Sequence, residues 1–123
     1  MQHAQGFLDA VNAAKKQIRE CTVDDVTAMR QRGDAFHLVD VREDDEFRAG
    51  HAAGAVHIGK GLVERDIEGK IPDKDATIVL YCGGGFRSAL AGLAIQEMGY
   101  RNVISMDGGI KAWRDTGLPT ETP

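Results

Sequence analysis

The chain has 123 residues, of which 42% are hydrophobic and 28% charged, with 15 glycines and 3 prolines. This is the composition of one globular domain, neither disordered nor collagen-like, and long enough to bury a core without disulfide staples. Fifteen basic against nineteen acidic residues give a formal charge of −4, which argues against a nucleic-acid or anionic-membrane surface but leaves room for a small anion in a local positive cradle.

The first element reads as an amphipathic helix over residues 5–20, with Phe7, Leu8, Val11, Ala14 and Ile18 on one stripe. Thr22 is suited to N-cap a second helix from Val23 to about Arg32, stopped by Gly33. Ala35–Val41 reads as a strand apolar on both faces, followed by an acidic-headed helix over Glu43–Ala49 that Gly50 ends. Ala55–Ile58 reads as a short strand. Residues 59–74 are the least regular stretch, broken by Gly61, Gly69 and Pro72, with a short helix around Leu62–Ile67 weakly signalled. Ala76–Tyr81 is the strongest strand, and Phe86–Met98 a helix with Gly99 as its stop. Asn102–Met106 is a further strand, and Gly109–Thr116 a last helix carrying Trp113 as a core residue. Strands alternating with helices predict an α/β fold, a parallel sheet with helices on both faces. The expected division is a helical extension over residues 1–21, the domain proper over 22–119 and a frayed tail over 120–123, with residues 1–4 frayed as well.

No apolar stretch is long enough to span a membrane, and Met1–Gly6 lacks the basic and apolar regions of a secretory signal, so the expected location is cytoplasmic. The two cysteines, Cys21 and Cys82, form no C-x-x-C pair, so neither structural zinc nor a dithiol redox motif is indicated. In the reducing compartment expected here a Cys21–Cys82 disulfide is disfavoured, and Cys21 reads as a bystander. His51 and His57 lack a carboxylate pattern that would make them metal ligands.

The segment that carries chemistry is Tyr81-Cys82-Gly83-Gly84-Gly85-Phe86-Arg87-Ser88. A buried strand ends, a cysteine follows, then three glycines, then a helix. Ligands bind at the carboxyl ends of strands in open α/β sheets. Glycines let main-chain N–H groups approach a ligand, and a ring of them opening a helix is an anion cradle. Arg87 adds a positive charge, and this field favours thiolate over thiol at Cys82. A cysteine at a strand end is often inert and a glycine-rich turn often only a turn. Here strand end, cysteine, glycines, helix start and arginine coincide, which makes Cys82 the candidate nucleophile and residues 83–88 its anion-binding loop.

Cys82 to Ser88 resembles the C-x-x-G-x-R-S active-site loop of rhodanese-like sulfurtransferases. The supporting segments follow in order: Leu38-Val39-Asp40-Val41-Arg42, Glu46-Phe47, Gly50-His51-Ala52-Ala53-Gly54-Ala55, Asp107-Gly108-Gly109 with Trp113, and Gly117-Leu118-Pro119. The resemblance covers residues 22–119 and departs at Ala52-Ala53, where the family usually has Ile-Pro; the helical extension lies outside it. It implies the rhodanese-like fold and a single-domain thiosulfate sulfurtransferase. Catalysis would be by Cys82 and Arg87, with Gly83, Gly84, Gly85, Phe86 and Ser88 as the binding loop and Asp40 and Arg42 as structural support. A persulfide would form on Cys82 from an anionic donor such as thiosulfate and pass to cyanide or a thiol, with a protein acceptor also compatible. No cofactor or metal is implied. By analogy with the fold, Glu64-Arg65-Asp66 borders the pocket. Two alternatives stand beside this reading. One is a sulfur-carrier or regulatory module acting with a partner protein. The other, a cysteine phosphatase or arsenate reductase, is disfavoured because such loops place arginine six positions after cysteine, and here it stands at five.

Overall fold

The computed structural model describes residues 2–123. Its elements are α1 (Gln5–Lys15), β1 (Arg19–Cys21), α2 (Val23–Arg32), β2 (His37–Asp40), α3 (Asp44–Ala49), β3 (His51–Ala52), β4 (Val56–His57), a 3-10 turn (Lys60–Leu62), α4 (Val63–Lys70), β5 (Thr77–Tyr81), α5 (Phe86–Glu97), β6 (Asn102–Met106), α6 (Gly109–Asp115) and β7 (Thr120–Glu121). Five strands form a parallel sheet in the order β1-β6-β5-β2-β4. Among the described residues no helix is long and apolar enough to cross a membrane.

The apolar run of β5 fits a strand covered on both faces, because successive side chains point to opposite sides of a sheet. Ile78 and Leu80 enter one core with Val63 and Ile67 of α4 and Ala91 and Ile95 of α5. Val79 and Tyr81 enter the other with Val26 of α2 and Ile110 and Trp113 of α6. The helices on both faces are therefore as the alternation predicted. Thr22 caps α2 in a capping box: its hydroxyl accepts from Asp25 N at 3.1 Å, and its N–H donates to the Asp25 carboxylate at 2.9 Å.

Three expectations are corrected. The first helix ends at Lys15, not residue 20, and Arg19–Cys21 becomes the edge strand of the main sheet. A turn closes through Gln17 N–H to Ala14 O, the Gln17 carbonyl accepts from the Gln96 side chain, and β1 satisfies the exposed backbone of β6. The irregular stretch is mostly helical: Val63 and Ile67 are fully buried one turn apart, so packing decides where Gly69 argued against a helix. The tail is not frayed at 120–121, where β7 pairs antiparallel with β3. At the other end Met1 lies outside the described residues, Ala4 N-caps α1, and the His3 ring rests on Phe7 and Phe86. The α1 stripe closes on α5, where Val11 and Ala14 pack with Ala89, Phe86, Leu90 and Leu93.

Candidate active site

β5 delivers Cys82 to the carboxyl edge of the sheet, 1% exposed. The chain then has to curl around its sulfur to enter α5. The N–H groups of Gly85 and Ser88 donate to Sγ at 3.2 and 3.4 Å, and the Ser88 hydroxyl lies 3.6 Å from it. Gly85 adopts φ +110°, and a Cβ there would stand 2.9 Å from the Asp107 carboxylate, so the turn needs glycine.

The loop carbonyls face the opposite way because the start of α6 holds them. Ile110 N donates to Cys82 O at 2.9 Å, Lys111 N to Gly83 O at 3.2 Å, and Gly108 N to Gly84 O at 3.2 Å. Gly109, at φ +53°, lies so close beneath the loop that a Cβ would collide with the carbonyl oxygens of Cys82 and Gly83. With its carbonyls tied back, the loop turns N–H groups toward the sulfur, an arrangement that stabilises negative charge there.

Arg87 lies beside the loop, but its charge is not free. Its Nη1 and Nη2 donate to the two Glu46 oxygens at 2.7 and 3.1 Å. The bond to Arg87 holds the Glu46 carboxyl below the usual carboxylate range, and Arg87 is held still more firmly as a cation by the same bond. The positive cradle expected from the sequence is thus an ion pair plus an amide ring.

Asp40 and Arg42 stand where a structural pair was expected. Arg42 Nη2 donates to Asp40 Oδ2 at 2.8 Å and to Gly50 O at 2.8 Å. The Tyr81 hydroxyl donates to the same Asp40 oxygen at 2.7 Å and accepts from Ala52 N at 3.0 Å. This buried knot joins the ends of β2 and β5 to β3, one residue before Cys82. His51 and His57 stack on the two sides of Phe47, with ring centroids 3.7 and 4.5 Å away. Among the described residues no cluster of His, Cys, Asp and Glu suits a metal. Trp113 is buried and donates to Pro119 O at 2.8 Å. Both cysteines are free thiols, and burial, with Asp25 and Glu20 nearby, pushes the Cys21 thiol up to about 11.

A cavity of about 700 Å³ opens over the loop. Cys82, Gly83, Gly84, Phe86 and Arg87 form its floor, with Glu46 at one side and Gln2, His3, Ala4 and Phe7 forming a further wall. Glu64, Arg65 and Asp66 do not line it, which corrects the expectation from fold analogy. They sit on α4 and the first two are solvent-exposed, with Arg65 paired to Asp66 at 2.7 Å. Sequence reasoning missed six residues of the site: Gln2, His3, Ala4, Phe7, Glu46 and Ser105, whose hydroxyl lies 2.8 Å from that of Ser88. Phe7 carried a signal as part of the apolar stripe of α1. Ser105 carried none.

Residues 22–116 match the model of the rhodanese-like domain family. A thiosulfate sulfurtransferase GlpE of Pseudomonas entomophila is 37% identical over 95 residues, 77% of this chain and 84% of that protein. Among solved structures, a protein of unknown function from Rhodopseudomonas palustris, described as a possible tyrosine phosphatase, superposes with a TM-score of 0.86 at 32% identity over 98% of both chains. A polysulfide-sulfur transferase homodimer from Wolinella succinogenes superposes with a TM-score of 0.80 at 27% identity, over 96% of this chain and 88% of that one.

Proposed function

The chain belongs to the rhodanese-like domain family and is a sulfurtransferase, and on that premise we propose that it carries sulfane sulfur on Cys82, from thiosulfate or a persulfide donor to a thiophilic acceptor. The observation that carries this reading is the convergence of the Gly85 and Ser88 amides on the Cys82 sulfur.

The thiolate attacks the outer sulfur of thiosulfate. A sulfur–sulfur bond forms on Cys82, the bond to the central sulfur breaks, and its electron pair leaves on sulfite. The outer sulfur of the persulfide anion stands in the cavity over the amide ring. An acceptor nucleophile, cyanide or a thiolate, attacks that sulfur and returns Cys82 to the thiolate. The two amides donate to sulfur in each state, so neither step waits for the loop to rearrange. Asp40 and Arg42 act through Tyr81 and the end of β5, as positioning residues.

A phosphatase reading of the same fold needs a guanidinium free to grip a phosphoryl group. Here Arg87 stands five positions after Cys82 and is already paired with Glu46, which supports sulfur transfer instead. Intact-protein mass spectrometry after exposure to thiosulfate tests the proposal. The expected result is a gain of one sulfur atom, reversed by cyanide and absent in Cys82→Ala. Hydrolysis of aryl phosphates with no gain of sulfur would overturn it.

A further inference from the structure

Three rings meet over the loop, and two of them belong to a segment that precedes the residues matched by the family. The His3 and Phe7 ring centroids are 5.3 Å apart, His3 and Phe86 5.0 Å, and Phe7 and Phe86 6.2 Å. All three tilt against one another, as aromatic rings prefer, and all three line the cavity that holds Cys82. At about 700 Å³ the cavity falls in the size range of sites for organic ligands and far exceeds what an inorganic oxyanion fills. Its charge points the same way. Arg87, the cation beside Cys82, is engaged by Glu46, so a small inorganic anion meets a neutralised pair, whereas an apolar ring meets a ring-lined wall.

Resting on the sulfur-transfer reading above, we infer that the wall of His3, Phe7 and Phe86 makes the protein selective for sulfane-sulfur donors bearing an aromatic group, of the arenethiosulfonate class, over inorganic thiosulfate. The Cys82 thiolate attacks the terminal sulfur of Ar–SO2–S⁻. A bond forms between the two sulfurs, the bond from that terminal sulfur to the sulfonyl sulfur breaks, and the electron pair leaves on the arenesulfinate. Two negative charges enter, and two remain, one on the Cys82 persulfide and one on the sulfinate. The aryl group lies on the leaving fragment, so the wall binds the donor through the part that is not transferred and releases it with the product. Thiosulfate undergoes the same exchange with nothing to set against the rings.

The test compares kcat/KM for benzenethiosulfonate and for thiosulfate, with cyanide as acceptor and thiocyanate as the product read in both cases. The wild-type ratio should favour the aryl donor. Phe7→Ala should lower that ratio about tenfold, the scale of one lost aromatic contact, and Phe7→Tyr should restore it. Both donors are measured on one preparation, so any loss of folded protein cancels in the ratio. His3 is exposed, so His3→Ala should fold normally and lower the same ratio. A ratio unchanged in both alanine variants, with sulfur still loaded from both donors, would overturn the selectivity. Failure of both donors to load Cys82 in the wild type would overturn the sulfur-transfer reading itself.

Discussion

Replacing Tyr81 with phenylalanine isolates the knot beneath Cys82. The ring and its packing stay, and only the hydroxyl is lost. That hydroxyl donates to Asp40 at 2.7 Å and accepts from Ala52 N at 3.0 Å, and all three residues are fully buried. Losing a hydrogen bond to a charged group costs about 1.5–3 kcal/mol, and leaving a buried N–H without an acceptor costs about 1–3 kcal/mol. Relief from dehydrating the hydroxyl offsets about 1–3 kcal/mol of this, so the net loss should be about 2–3 kcal/mol. Burial, and after it the Asp40 carboxylate, push ionisation of Tyr81 above the ordinary tyrosine range, so the hydroxyl remains a donor through neutral and alkaline pH. Urea unfolding measures the effect: with a slope of about 2 kcal/mol per molar, the midpoint should fall by about 1–1.5 M. Tyr100→Phe is the internal comparison. Its hydroxyl serves only the Ile71 carbonyl, at 2.5 Å, and its removal should cost about 1 kcal/mol. If Tyr81→Phe loses no more than Tyr100→Phe, the knot does not hold the end of β5 in the way argued.

Glu46→Gln keeps the acceptor that Glu43 N–H uses at 3.1 Å but removes the charge opposite Arg87. For a half-exposed pair worth about 1 kcal/mol, KM for thiosulfate should fall about fivefold, and a rise in KM would mean that Glu46 is needed to aim the guanidinium. Because the folded Glu46 pKa is depressed, the pair persists as pH falls through the usual carboxylate range and is lost only below it, so wild-type KM should start to fall only in that acid range. Gly109→Ala places a Cβ 2.6 Å from the Gly83 carbonyl oxygen and should cost at least about 2 kcal/mol in thermal unfolding while abolishing sulfur loading; a folded, active variant would show that α6 does not fix the loop. Cys21, with its pKa raised from 9.0 to about 11, should resist alkylation at pH 8. Since the unfolded chain releases that proton first, its contribution to stability is complete below pH 9 and lost as pH rises toward 11, and Cys21→Ser should flatten this alkaline decline in urea titrations while keeping thiosulfate turnover.

What could be read in advance was whatever the chain encodes locally. The apolar run of β5, the glycines after it and the apolar face of α5 each act over a few residues, so Cys82 and its loop were legible. The pair Glu46–Arg87 spans 41 residues, and no local pattern announces it. Strands β3 and β7 have two residues each and owe their existence to one another, so neither shows an alternation of its own. The end of α1 was misplaced for a similar reason: Ile18 continues the helical stripe, yet the backbone of residues 19–21 gains more by pairing with β6 than by extending a helix. The wall of the cavity went unseen because the stripe holding Phe7 predicts burial without saying against what.

The seating of α1 and β1 also bears on how the protein is made. Both leave the ribosome before their partners, since β1 pairs with β6 and α1 closes on α5, which lie far later in the chain. Until then Phe7 and Val11 have no apolar cover. Contacts between segments so far apart in sequence form slowly, and exposed apolar surface in the meantime invites aggregation. The loop around Cys82 waits longer still, because its carbonyls are tied to the start of α6, which follows both α5 and β6 in the chain. Substitutions at the β1–β6 seam should then show themselves in the yield of newly made protein sooner than in the equilibrium stability of what has already folded.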